Sequence, residues 1–122
     1  RKAIATLQRF NGVVEQASEL ELAEEVARAD RTGMFNCPHT GVALAALRKL
    51  IERKVIHGND RVVVISTANG LKFADQKIAY HAGTLPGIQG SLQNRPVEVS
   101  ADPGQISDAI SRYVERVRLL EK

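Results

Sequence analysis

The chain has 122 residues, 43% of them apolar and 25% charged, with a net charge of +3. That fits one globular unit with one core. No apolar run approaches the ~20 residues that a bilayer crossing needs. The charges of both signs are interspersed, and only five aromatic residues are present, so no basic stripe with interleaved aromatics argues for nucleic-acid binding. The lone Cys37 rules out an internal disulfide and a cysteine-based zinc cage, and fits a reducing compartment. The first residue is Arg1 rather than Met, and a helical pattern is already running at Ala3. This leads to the expectation of a piece of a longer polypeptide.

Residues 2–10 read as a helix with Ala3, Ile4, Leu7 and Phe10 on one side, ended by Asn11-Gly12, which tolerate positive φ. Val13-Val14-Glu15 reads as a short strand. Ser18-Glu19-Leu20-Glu21 is a capping-box sequence, and it predicts a helix running to about Asp30, stopped by Thr32-Gly33. Met34 to Cys37 is short, apolar and extended. Pro38 suits the first turn of a helix, which runs to about Lys54 with Ala46, Leu47, Leu50 and Ile51 on its apolar face.

Val62 to Ile65 is the strongest strand signal, apolar at every position as in a strand buried on both faces. It closes on Ser66-Thr67-Ala68-Asn69-Gly70, and a helix begins at Leu71 and fades between Tyr80 and Gly83. Residues 84–96 form an irregular loop. Val97-Glu98-Val99 reads as a strand, and Asp102-Pro103-Gly104-Gln105 opens a last helix through Ile106, Ile110, Val117 and Leu120. Strands separated by helices imply crossovers, so the expected class is α/β with a parallel sheet.

Two polar constellations stand where an extended segment meets a helix. Ser66 and Thr67 sit where a ligand would meet the carboxyl edge of an α/β sheet. The alternative is an ordinary turn whose hydroxyls cap the helix. Cys37-Pro38-His39-Thr40-Gly41 is the second. A cysteine at a helix start beside a histidine has the makings of a nucleophile, yet no third orienting group is identifiable, and a small packed side chain explains Cys37 equally. The three histidines match no zinc spacing. No glycine pattern supports a nucleotide-binding loop.

The segments Thr32-Gly-Met-Phe-Asn-Cys-Pro-His-Thr-Gly-Val-Ala-Leu44 and Val63-Val-Ile-Ser-Thr-Ala-Asn-Gly-Leu-Lys-Phe73 together resemble the carboxyl-terminal part of threonine synthase of the plant-like, pyridoxal-phosphate-dependent type. The resemblance runs from about residue 2 to 82 and is looser over 84–122. It implies a tryptophan-synthase-β-like fold (fold type II), with residues 1–122 forming the carboxyl-terminal part of the larger, cofactor-binding α/β subdomain.

The implied activity is that of a lyase in threonine and amino-acid biosynthesis: O-phospho-L-homoserine and water give L-threonine and phosphate, with pyridoxal 5'-phosphate as cofactor. In that family a Ser or Thr hydroxyl at the end of a late strand bonds the ring nitrogen. Thr67 matches that position and Ser66 is its neighbour. A neutral hydroxyl partners an unprotonated nitrogen. Cys37 falls where several relatives carry a glutamate, and Pro38, His39 and Thr40 fall where they line the cleft beside the ring. Asn69 stands where many carry His.

The family's Schiff-base lysine lies upstream. None of Lys2, Lys49, Lys54, Lys72, Lys77 or Lys122 matches its motif, so no catalytic residue is expected in this chain, which alone should be inactive. The resemblance implies partners as well: the missing amino-terminal part and a homodimer, with no nucleic acid and no membrane. The implied location is the cytoplasm, or a plastid if the source is a plant. The competing reading is a non-catalytic α/β module that binds an anion or a protein through the same two turns. The isolated piece is expected to expose apolar faces.

Overall fold

The computed structural model describes residues 1–120; Lys122, among the lysines discussed above, lies outside the described residues. Five helices follow one another: α1 (Lys2–Arg9), α2 (Glu19–Asp30), α3 (Pro38–Glu52), α4 (Ala74–Ala82) and α5 (Pro103–Leu120). A 3₁₀ turn, Gly70–Phe73, leads into α4.

Local chemistry sets the helix ends. Ser18 is extended and accepts from the amide of Glu21, while the Glu21 carboxylate accepts from the amide of Ser18 at 2.7 Å. The capping box read from the sequence is therefore formed. Pro38 occupies the first turn of α3, where its missing N–H costs nothing. Gly83 closes α4 in the left-handed region, at φ +75°, which glycine enters without a Cβ clash. Asp102 accepts from the amide of Gln105 at 2.9 Å and so caps α5.

The α/β expectation, and with it the fold type II architecture, is overturned. Among the described residues there is no strand and no sheet; the one isolated β-bridge is antiparallel, between Asn36 and Asn69. The three segments read as strands lie outside any regular element and stay largely exposed: Val14 is 72%, Val63 87%, Ile65 75% and Val97 68% accessible. The physical reason is that β-branching gives a local preference, whereas a ladder needs a second segment about 4.8 Å away along its whole length. No such neighbour meets these segments among the described residues. Val62 to Ile65 is therefore not a buried parallel strand.

What packs is a helical centre. Helix α2 lies along α3, closely because Gly41 has no side chain: a Cβ there would stand 2.5 Å from the Leu22 carbonyl oxygen and 2.5 Å from Val26. Leu22, Ala23 and Ala27 of α2 form the core with Tyr80 of α4, covered by Leu85, Ile88 and Leu92 of the following loop. The Tyr80 hydroxyl donates to Glu24 at 2.9 Å, and Ser91 donates its hydroxyl to the other oxygen of the same carboxylate. The irregular segment is thus tied to α2. The side chains of α1 and α5 are mostly exposed, including Ile4 and Phe10 on α1 and Ile110 and Leu119 on α5. The expectation of open apolar faces agrees with this.

Candidate functional site

The two polar constellations meet. The Cys37 sulfur lies 3.3 Å from the Thr40 hydroxyl and 3.7 Å from the Thr67 hydroxyl, thirty residues away in sequence. The Thr40 hydroxyl lies 3.1 Å from that of Ser66. Ser66 in turn donates to the side-chain oxygen of Asn36 at 3.3 Å. Asn36, Cys37 and Thr40 are buried, whereas Ser66 and Thr67 remain exposed. The cluster is therefore a buried polar base met by the hydroxyls of two exposed residues.

Chain geometry explains how it forms. Pro38 starts α3 and leaves Cys37 extended just before it, so Cys37 and Thr40 sit within one turn. The Gly70 amide donates to the Phe35 carbonyl at 2.8 Å and closes the contact between the two turns. A Cβ on Gly70 would stand 2.7 Å from the Asn36 carbonyl oxygen, so only glycine lets the segments approach this far.

Behind the turn, Asp30 at the end of α2 accepts from the amide of Asn36 at 2.9 Å and takes an ion pair from Lys77 of α4. The Lys77 ammonium also lies 4.2 Å from the centre of the Phe35 ring, within cation–π range. Asn36, Asp30 and Lys77 were not among the site residues expected from the sequence. Nothing in their spacing signals that they meet; the glycine at position 70 is the one local hint.

Burial pushes the Cys37 thiol up. The Thr40 hydroxyl, when it donates to the sulfur, pulls the other way together with the Thr40 amide, the Thr67 hydroxyl and His39, and the thiol then falls from 9.0 to about 6. The remaining expected residues divide. His39 is exposed and meets Phe73 edge-on at 5.6 Å. Pro38 lines a small apolar cavity with Leu22, Val26 and Tyr80. Asn69 accepts from the amide of Leu71 at 2.9 Å and caps the 3₁₀ turn. The capping role that the turn could have given to Ser66 or Thr67 thus belongs to Asn69. A cleft of about 860 Å³ lies elsewhere, between residues 97–100 and the Arg112, Tyr113 and Arg116 side of α5. Among the described residues no group of His, Cys, Asp and Glu could hold a metal ion.

No protein-family model matches the chain. It is 49% identical over 114 residues to threonine synthase 2, chloroplastic, of Arabidopsis thaliana, which covers 93% of this chain. The chain resembles part of threonine synthase. A second similarity, 32% over 78 residues and 63% of the chain, is to the threonine synthase of Methanocaldococcus jannaschii. The resemblance read from the two motifs is thus borne out. The chain spans about a fifth of the length of these relatives, 22% and 19% respectively. Coverage of 93% carries the similarity past residue 82 into the last helix, over the stretch where the motif resemblance is looser. No helix among the described residues is long and apolar enough to cross a membrane.

Proposed function

We propose that the chain is a portion of a pyridoxal-phosphate-dependent threonine synthase. The complete protein would convert O-phospho-L-homoserine and water to L-threonine and phosphate. The observation that carries this reading is the 49% identity over nearly the whole chain. It is supported by the meeting of the two resembling motifs at one polar cluster.

The donor set fits one edge of the cofactor. Thr67 is exposed, and among the described residues its hydroxyl is held only by a 3.7 Å contact to sulfur, which is a weak acceptor. That hydroxyl can donate a hydrogen bond to an unprotonated ring nitrogen and keep its proton. Ser66 is the poorer candidate, because its proton already goes to Asn36. Bound there, the cofactor would supply an electron sink for proton loss at Cα, departure of phosphate and addition of water at Cβ. Cys37 and Thr40 would support the hydroxyls from beneath, and His39 would stand at the rim. Pro38 and Asn69 would act through structure, one beside the apolar centre and one as a cap.

The Schiff-base lysine and the phosphate-binding loop would come from the remainder of the polypeptide, so the chain alone would be inactive. A homodimer and a plastid location follow from the same reading, the latter because one relative is named as chloroplastic.

The test uses the complete source polypeptide. Its cofactor absorption is recorded and phosphate release from O-phospho-L-homoserine is assayed. Bound cofactor with release of phosphate and threonine is expected. Neither, from a polypeptide confirmed complete by mass, would leave a non-catalytic binding module.

A further inference from the structure

We propose that Asn36 is a positioning residue that sets the direction of a hydrogen-bond relay ending at Thr67, and so leaves the Thr67 proton free for the ligand. The proposal rests on the reading of Thr67 as the cofactor's ring-nitrogen partner.

The argument is a count of protons along Thr67, Cys37, Thr40, Ser66 and Asn36. The Asn36 amide group donates to the Met34 carbonyl at 3.0 Å. That fixes which end of the side chain is oxygen, because the opposite placement would set two acceptors together. The oxygen faces Ser66, and Ser66 donates to it at 3.3 Å. A serine hydroxyl has one proton, so toward Thr40, at 3.1 Å, Ser66 can only accept. Thr40 therefore spends its own proton on Ser66 and can only accept from Cys37, at 3.3 Å. Cys37 keeps its proton and directs it to Thr40. Every member of the relay is then satisfied, in keeping with the absence of an unpartnered buried side-chain polar atom among the described residues.

The consequence falls on Thr67. A neutral thiol sulfur is a weak acceptor, and it stands 3.7 Å away. A thiolate in the same place would be a charged acceptor, and charge-assisted bonds are roughly twice as strong as neutral ones. It would capture the Thr67 proton. Of the groups that favour the thiolate, the Thr40 hydroxyl acts most strongly, and it does so only when its proton turns to sulfur. With the Thr40 proton on Ser66, that turn does not occur. Asn36 does not touch the ligand; it acts through three intervening side chains.

The test uses the complete polypeptide reconstituted with cofactor labelled with ¹⁵N at the ring nitrogen. It reads that nitrogen and the Cβ carbon of Cys37, assigned by its loss in Cys37→Ser. In the wild type at neutral pH we expect a neutral thiol and a hydrogen-bonded, unprotonated ring nitrogen. Ser66→Ala frees the Thr40 proton. The Cys37 resonance should then move to the thiolate position, and the nitrogen should shift toward that of the free base.

Asn36→Ala removes the acceptor for Ser66, which can then donate to Thr40 and turn the Thr40 proton to sulfur, so both signals should move as they do in Ser66→Ala. Ser66→Ala combined with Cys37→Ala removes the competing sulfur and should return the nitrogen signal to the wild-type position, which a merely structural loss would not do. A thiolate in the wild type, or a Ser66→Ala variant with both signals unmoved, overturns the proposal. The Cys37 signal needs no cofactor. The expected thiol-to-thiolate change in a protein that binds none would uphold the relay and remove the ligand reading alone.

Discussion

Lys77 and Asp30, forty-seven residues apart, form an ion pair in which both side chains are nearly buried, at 7% and 14% accessible. The pair joins the end of α2 to the middle of α4, and the free oxygen of Asp30 fixes the Asn36 amide. Cutting one partner leaves the other charged and buried. Asp30→Ala should therefore cost about 3–5 kcal/mol. Urea unfolding of the chain measures it. Asp30→Leu with Lys77→Met should recover much of the loss; a double variant as weak as the single would mean that the backbone contact to Asn36 matters more than the charge.

Gly41 allows α2 and α3 to approach. Gly41→Ala would force a methyl against the Leu22 carbonyl, and overpacking of this kind costs about 1–3 kcal/mol. A thermal melt at unchanged or raised Tm would show that the helices part without cost.

The acid limb of stability should report on Glu21. Its bonds to Lys49, then to the Ser18 amide, hold the carboxyl down at about 2, from 4.5. A lowered carboxylate stabilises the fold above its unfolded value, and that contribution is lost as pH falls from 4.5 toward 2. Glu21→Gln should flatten this part of a stability–pH curve. Added salt should weaken the Lys49 share, since the pair lies near the surface.

Tyr80 should report on the alkaline limb. Burial, then the bond to Glu24, pushes its hydroxyl from 10.0 up to about 12. The unfolded chain releases this proton first, so stability is intact below pH 10 and falls from there toward 12. Tyr80→Phe should remove that component from the alkaline titration of stability.

Thr67→Val in the complete protein should perturb the cofactor absorption and lower turnover. An unchanged spectrum and rate would remove Thr67 from the site.

Helix starts and stops were legible because their causes are local: Ser18 with Glu21, Pro38, Gly83 and Asp102 each act within a turn. The strands were not, because Val62 to Ile65 carries a preference but no neighbour with which to form a ladder. The resemblance brought Cys37, Thr40, Ser66 and Thr67 into view, and the structure joins them. That Pro38 lines an apolar cavity and that the Asn69 oxygen accepts from the Leu71 amide left no mark in the spacing. Asn36, Asp30 and Lys77 were invisible for a different reason. Each is an ordinary polar residue until the chain folds back and gives it a partner.

Cys37 is the one cysteine of this chain, and its accessible surface is 0%. A thiol reagent can reach the sulfur only after the contact between the two turns has opened. The labelling rate of a single atom therefore times those openings, with no engineered probe.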